Sequence, residues 1–267
     1  MERRARMKRG DIRVAVLRME GTNGEEEMAR AWRSAGARAE FLHLKELESG
    51  RRNLEEFHGL ALPGGFSAGD YVRAGAVMAA RLRALAPHLK RFVEAGKAVL
   101  GVCNGFQVAV ELGLLPGDGT PGEPRATLAV NASGRFECRP TLVRPEGGSD
   151  FTRSLPRRPL EMPVAHGEGR LLFDRPATLR EVEEGGQVSF RYSWHGRGEP
   201  PYPWNPSGTT RAIAGLQNPA GNVVGLMPHP ERVAEPWLHG DWTWGGRRAG
   251  DGGALFASAV GALARRF

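Results

Sequence analysis

Cys103 lies in the string LGVCNGFQVAV, residues 100–110, between an apolar run and a glycine-containing turn. A cysteine placed where a buried strand hands over to a helix has its sulfur lifted clear of the backbone. The free N–H groups and positive end of the helix then favour the thiolate. Gly101-Val102-Cys103-Asn104-Gly105 is the thiol counterpart of the G-x-S-x-G elbow, and its small flanking residues are what so sharp a turn requires. A base is available in MPHPER, residues 227–232, where His229 stands between two prolines that keep the segment out of a helix interior. Glu231 follows two residues on, so in an extended chain both side chains leave on one side. His229 can take the thiol proton while Glu231 holds the imidazole tautomer and stabilises its cation. A third string, LPGGFSAGDYVRAG, residues 62–75, presents Pro63-Gly64-Gly65 after a strand, with N–H groups unobstructed and able to face a developing oxyanion. Taken singly, each string has a plainer reading: a buried structural cysteine, a surface turn, a Pro-Gly turn. Three such loops at one sheet edge favour the catalytic reading.

The elements that must position these loops alternate. IRVAVL (12–17) reads as a strand, EEEMARAWRSAG (25–36) as a helix with acids in its first turn, and RAEFLHL (38–44) as a strand again, the rhythm of a parallel sheet. HGLALPGG (58–65) is a third strand breaking into a glycine loop, residues 74–96 are helical with a break near Pro87, and AVLGV (98–102) is a fourth strand. Cys103 therefore falls at the carboxyl end of a parallel strand, the edge where open α/β sheets bind ligands. From about residue 125 the texture turns to short strand-like pieces, 135–143, 169–173, 187–192, 212–218 and 222–227, before a terminal helix. The expected class is α/β: one domain over 11–267, an open mostly parallel sheet flanked by helices with additional antiparallel strands. Residues 1–10 form a basic, frayed leader.

Composition narrows the function. The net charge of +7 comes from Lys and Arg interleaved with acids along the whole chain, which argues for solvated surface and against a nucleic-acid stripe; an acidic or phosphorylated partner stays open. Two cysteines make no disulfide framework, the seven histidines are scattered without metal-ligand spacing, and no apolar run approaches a membrane span. A cytoplasmic protein without a metal is expected. There is no phosphate-gripping P-loop, so ATP chemistry belongs elsewhere.

With these strings in place the sequence resembles class I glutamine amidotransferases with a Cys-His-Glu triad, and among them the glutaminase subunits of phosphoribosylformylglycinamidine synthase in purine biosynthesis. The wider class needs only G-x-C-x-G-x-Q, P-G-G and H-P-E. The narrower resemblance rests on LPGGFSAGD, GVCNGFQ, NASGRF (131–136), PVAHGEGR (163–170), NPSGTTRAIAGLQN (205–218), GLMPHPER and DGGALF (251–256), in family order from about residue 12 to the end. Three departures stand out. Glu20-Gly21-Thr22-Asn23-Gly24 replaces the usual Pro-Gly-Thr/Ser-Asn-Cys, Ala68 replaces the usual tyrosine of FSYGD, and segments 193–204 and 233–250 are longer than in compact members. The first two lie outside the triad and bear on loop packing near the partner face.

The resemblance implies that the Cys103 thiolate attacks the side-chain amide of glutamine while the N–H groups of Gly65 and Asn104 hold the oxyanion. His229, oriented by Glu231, then protonates the departing ammonia and activates water against the thioester. It further implies that Gln107 and the loop of Asn131, Ser133 and Gly134 hold the α-amino and α-carboxylate groups of glutamine. For His166, site-rim binding and structural hydrogen bonding both stay open. The implied partners are a synthetase subunit, which carries ATP and magnesium and receives the ammonia, and a small bridging subunit; no cofactor is expected in this chain. Two alternatives remain: the glutaminase component of another amidotransferase complex, or a similar-fold peptidase or redox-sensing protein. Trp194, Trp204, Trp237, Trp242 and Trp244 crowd two Gly- and Pro-rich stretches that flank H-P-E, either as anchors for a partner or as a local cluster.

Overall fold

The apolar runs of the first hundred residues become parallel strands: β1 (Arg13–Arg18), β2 (Arg38–His43), β3 (Gly59–Leu62) and β4 (Ala98–Val102). Every residue of β3 and β4 is buried, as continuous hydrophobic strands covered on both faces must be. The connecting helices are α1 (Glu25–Ser34), α2 (Leu44–Glu48), α3 (Ala76–Arg83), α4 (Ala86–Glu94) and α5 (Asn104–Glu111). Three glutamates occupy the first turn of α1, where the helix dipole favours them, and Met28, Ala29, Ala31 and Trp32 face the core. The expected helix over 74–96 is two helices, since Pro87 sits in the first turn of α4, where its missing N–H costs nothing. The computed structural model describes residues 7–246 and 248–267; residues 1–6 of the expected leader lie outside the described residues, whereas Met7 packs against the core and a 3-10 turn spans Arg9–Asp11.

The second half supplies β5 (Ala126–Ala129), β6 (Glu137–Pro145), β7 (Leu160–His166), β8 (Arg170–Phe173), α6 (Pro176–Glu184), β9 (Val188–Ser193), β10 (Ile213–Gln217), β11 (Val223–Leu226) and α7 (Gly253–Arg266). The nine-stranded sheet runs β2-β1-β3-β4-β11-β10-β9-β6-β7, with β5 and β8 paired apart. Pairing is parallel from β2 to β11 and antiparallel from β11 to β7, so the expected α/β class with added antiparallel strands is borne out. β11 lies directly beside β4, with Leu226 opposite Val102. That single pairing brings the H-P-E segment to the edge where the cysteine stands. Although β7 is the far edge strand in hydrogen-bonding order, the sheet curls enough for Pro163 of β7 to accept the His229 backbone N–H at 2.8 Å. Among the described residues no helix is long and apolar enough to cross a membrane.

Candidate active site

Cys103 links β4 to α5 with φ 51° and ψ −107°, a conformation that costs an ordinary residue of order 1–3 kcal/mol and persists only where its surroundings enforce it. The surroundings do so through glycine. A Cβ on Gly105 would lie 1.9 Å from the Leu62 carbonyl oxygen, and one on Gly101 would lie 2.6 Å from the Gly105 carbonyl oxygen. Helix α5 thus rests its first turn directly on the backbone of β3 and β4, and the sulfur projects above the sheet edge. Cys103 is buried, and its thiol points to the Ala165 carbonyl of β7 at 3.6 Å.

His229 and Glu231 leave the end of β11 in a segment whose prolines place a 3-10 turn over Pro230–Val233. His229 Nδ1 meets Glu231 Oε1 at 2.6 Å, both side chains being sealed from solvent. Burial by itself favours the neutral imidazole, but the Glu231 carboxylate and the Cys103 sulfur outweigh it and lift His229 to about 10. Nδ1 is therefore the proton donor to Glu231, and Nε2, which has no hydrogen-bond partner among the described residues, is the atom available to the thiol. The backbone of Gly64 seats both residues: a Cβ there would stand 2.7 Å from His229 Cε1 and 3.5 Å from Cys103 Cβ. Only a glycine admits this approach.

The loop after β3 is tied to the nucleophile helix by Asn104. Its Oδ1 accepts the Ser67 N–H at 3.2 Å, while Nδ2 donates to Asp70 Oδ1 at 3.3 Å and Gln107 Oε1 at 3.1 Å. As the first residue of α5, Asn104 has a backbone N–H with no intrahelical acceptor. Gly65 adopts φ 137° and bridges Thr22, and Gly24, at the position of the usual cysteine, donates its N–H to the Gly64 carbonyl at 3.1 Å. A Cβ on Gly24 would fall 2.8 Å from that carbonyl oxygen. This departure from the family pattern therefore acts on the glycine loop beside the thiol.

The remaining expected residues lie around the site with their side chains largely committed to protein partners. Gln107 donates from Nε2 to the Glu168 carbonyl at 2.7 Å. Asn131 donates to the carbonyls of Arg135 and His166, each at 2.8 Å, and accepts from the Gly169 N–H at 3.0 Å. That orientation makes Asn131 Oδ1 an acceptor toward His166 Nδ1 at 3.1 Å, so the His166 proton sits on Nδ1 and Nε2 is a buried lone pair with no hydrogen-bond partner among the described residues. Burial, then the nearby His229 charge, push His166 down to about 4, and it stays neutral. Ser133 donates to Glu137 Oε1 at 2.6 Å, and Gly134, at φ 64°, closes the turn in open space. The 131–134 loop is thus held from within and fastened to the β7–β8 turn.

Residues that sequence reasoning gave no role also gather here. Asp70, lifted to about 6 by burial and by the Glu168 carboxylate, stands beside Asn104, and buried Tyr192 of β9 neighbours Cys103. Asp70 and Glu168 stand inside the quoted strings FSAGD and AHGEGR, which was the available signal. Of the tryptophans, Trp237, Trp242 and Trp244 are exposed, whereas Trp194 donates to the Gly198 carbonyl and Trp204 packs edge-on against His195. The chain beyond the 3-10 turn is pinned at buried His239, whose Nε2 accepts the Asp251 N–H at 3.1 Å while Nδ1 faces Glu161 at 3.2 Å.

A strained elbow thiol, a buried His-Glu pair and a glycine loop stand together at one edge of an open α/β sheet, the arrangement that a cysteine nucleophile needs. The chain belongs to the CobB/CobQ-like glutamine amidotransferase family, whose domain description matches residues 11–261. It is 46% identical over 225 residues to the phosphoribosylformylglycinamidine synthase subunit PurQ of Picrophilus torridus, covering 84% of this chain and 88% of the relative. It is 43% identical to the same subunit of Archaeoglobus fulgidus, covering 95% and 98%. The solved structure of PurLQS from Thermotoga maritima superposes with a TM-score of 0.73 at 30% identity, over 95% of this chain and 99% of that one. The resemblance read from the sequence is borne out, and the chain is a glutamine amidotransferase subunit.

The two cysteines offer an internal comparison, Cys103 buried in the site and Cys138 exposed on β6. A glutamine-like chloroketone is expected to alkylate Cys103 much faster than Cys138, because Cys103 has the His229 imidazole beside it. Peptide mapping with comparable labelling at both would mark Cys103 as structural.

Proposed function

We propose that the chain is the glutaminase of a phosphoribosylformylglycinamidine synthase, releasing ammonia from glutamine for a synthetase subunit that carries ATP and magnesium, with a small third subunit bridging the two. The observation that carries the chemistry is the His229–Glu231 pair sealed beneath the elbow thiol. His229 takes the Cys103 proton through Nε2, and the new sulfur–carbon bond at the glutamine amide carbon converts the carbonyl to an oxyanion facing the N–H groups of Gly65 and Asn104. Collapse breaks the carbon–nitrogen bond, His229 returns its proton to the leaving nitrogen, and ammonia departs. Water then loses a proton to His229, attacks the thioester and releases glutamate with the thiol restored. Asp70 and Glu168 supply negative charge near the mouth for the α-ammonium of glutamine. The 131–134 loop, whose Asn131 side chain is taken up by the protein, contributes through its backbone.

The Picrophilus torridus and Archaeoglobus fulgidus relatives are subunits of this synthase, which favours it over another amidotransferase complex, a peptidase or a redox sensor. The test is reconstitution: the purified chain mixed with the synthetase and bridging subunits should convert glutamine, ATP and formylglycinamide ribonucleotide to glutamate and amidine in equal amounts. Glutamate formation that is absent, or indifferent to the synthetase, would overturn the reading.

The exposed indoles at 55% for Trp242 and 83% for Trp244 carry a further expectation. As rigid anchors on a pinned segment they suit the grip of one subunit on another. The double substitution Trp242→Ala, Trp244→Ala should weaken association with the synthetase about tenfold or more, read by titration of the labelled subunit, and barely move the melting temperature of the free chain. A large fall in that temperature with affinity intact would identify a local structural cluster.

A further inference from the structure

Beside Glu231 lies a cavity of about 130 Å³ lined also by Glu27, Arg30, Arg232 and Leu238. Glu27 comes from the first turn of α1, some two hundred residues away in sequence, and its Oε1 accepts from Arg232 Nε at 2.8 Å. One ligand atom each from Glu27, His229 and Glu231 lie within 4.8 Å of one another. Glu231 Oε2 is buried without a hydrogen-bond partner among the described residues. Such a trio invites a cation, and the chain supplies one of its own: the Arg232 guanidinium, immediately after Glu231.

With the thiolate, imidazolium and carboxylate formed, the triad holds three charges in a sealed site, so the placement of the nearest outside charges governs its proton affinities. Burial disfavours the charged guanidinium of Arg232, but Glu27, then Glu231 and Cys103, more than offset that and push its pKa up. We propose that Glu27 and Arg232 form an outer ion pair that positions the charge of the Cys103–His229–Glu231 triad and sets the pH range in which it works. Arg232 opposes the Glu231 carboxylate, and Glu27 both holds Arg232 and faces the imidazolium. Among the described residues, the neighbouring titratable groups are His166 at the end of β7, Tyr192 on β9, and Arg30 of α1 and Glu235 beyond the 3-10 turn, which line the same cavity as Glu231.

The inference rests on the glutaminase reading of the triad, and the experiment separates the two. In the reconstituted complex, kcat/KM for glutamine is measured against pH for the wild type, Arg232→Met, Arg232→Lys, Glu27→Gln and the double variant, with Cys103→Ala as the control. A nearby cation favours loss of every neighbouring proton, so Arg232→Met should move both limbs of the profile to higher pH by about half to one unit. Glu27→Gln should move them the other way, the double variant should fall between, and Arg232→Lys should restore the wild-type profile. Activity that survives in Cys103→Ala would sink the triad itself. With that control silent, limbs that stay in place in Arg232→Met and Glu27→Gln, whatever happens to kcat or melting temperature, would reduce the pair to packing and overturn the inference. If Arg232→Met fails to fold, Glu27→Gln decides by the same criterion.

Discussion

Cys103→Ala and Cys103→Ser are each expected to abolish glutamine-dependent amidine synthesis, by about a thousandfold or more, while the assembled complex still uses free ammonia. The nucleophile is needed only to detach nitrogen from glutamine, so a synthetase supplied with ammonia does not notice its loss. The readout is amidine formation with each nitrogen source in turn. Equal loss of both activities would mean that the substitution had damaged assembly and would remove the reason for naming Cys103 the nucleophile. Cys138→Ser, on the exposed face of β6, should leave both activities nearly unchanged.

Gly105→Ala is expected to be the most damaging single methyl group in the parallel half of the sheet. Its Cβ would meet the Leu62 carbonyl oxygen at 1.9 Å and the carbonyl carbon at 2.5 Å, atoms of a fully buried strand that has nowhere to retreat. Relief requires lifting α5 off β3, which breaks native packing and carries the thiol away from His229. A loss of about 3 kcal/mol or more follows, and in a chain of this size a fall in melting temperature of roughly 6–12 °C. Gly148→Ala provides the comparison, because no atom lies within 4 Å of its Cβ position and its φ is not in the left-handed region. Thermal unfolding that fails to separate the two would show that the elbow is looser than its contacts imply.

The legible parts of the fold were those whose signal is local. β3, β4 and β11 are continuous apolar runs, and the break before α4 follows from Pro87 alone. β5 is Ala-Thr-Leu-Ala, with no run of large apolar residues, and β7 carries Pro163, so neither reads as a strand from its own composition. The structure tolerates that proline because β7 is an edge strand, and Pro163 pairs with Pro140 at a place where β9 does not reach. The site divides the same way. Cys103, His229 and Glu231 stand in short strings whose residue types and spacing single them out, and the structure brings Glu231 against His229 beside the thiol. The partnership of Glu27 with Arg232 is invisible, because it joins the first helix to the end of the last strand and leaves no periodic trace. Residue type marked Gln107 and Asn131 as polar groups near the thiol, but only coordinates reveal that hydrogen bonds to Glu168, His166 and Gly169 already occupy them.

The pairing of β4 with β11 has a consequence for the making of the protein. A ribosome completes Cys103 while His229 is still 126 residues from being added. At about 5–20 residues per second that interval lasts roughly 6–25 s. Throughout it the nascent chain holds a thiol with no base and a strand, Ala98–Val102, with one side of its hydrogen-bonding ladder vacant. The unfinished chain therefore carries an apolar strand edge that awaits a partner from a much later segment, the kind of surface on which polypeptides misassociate.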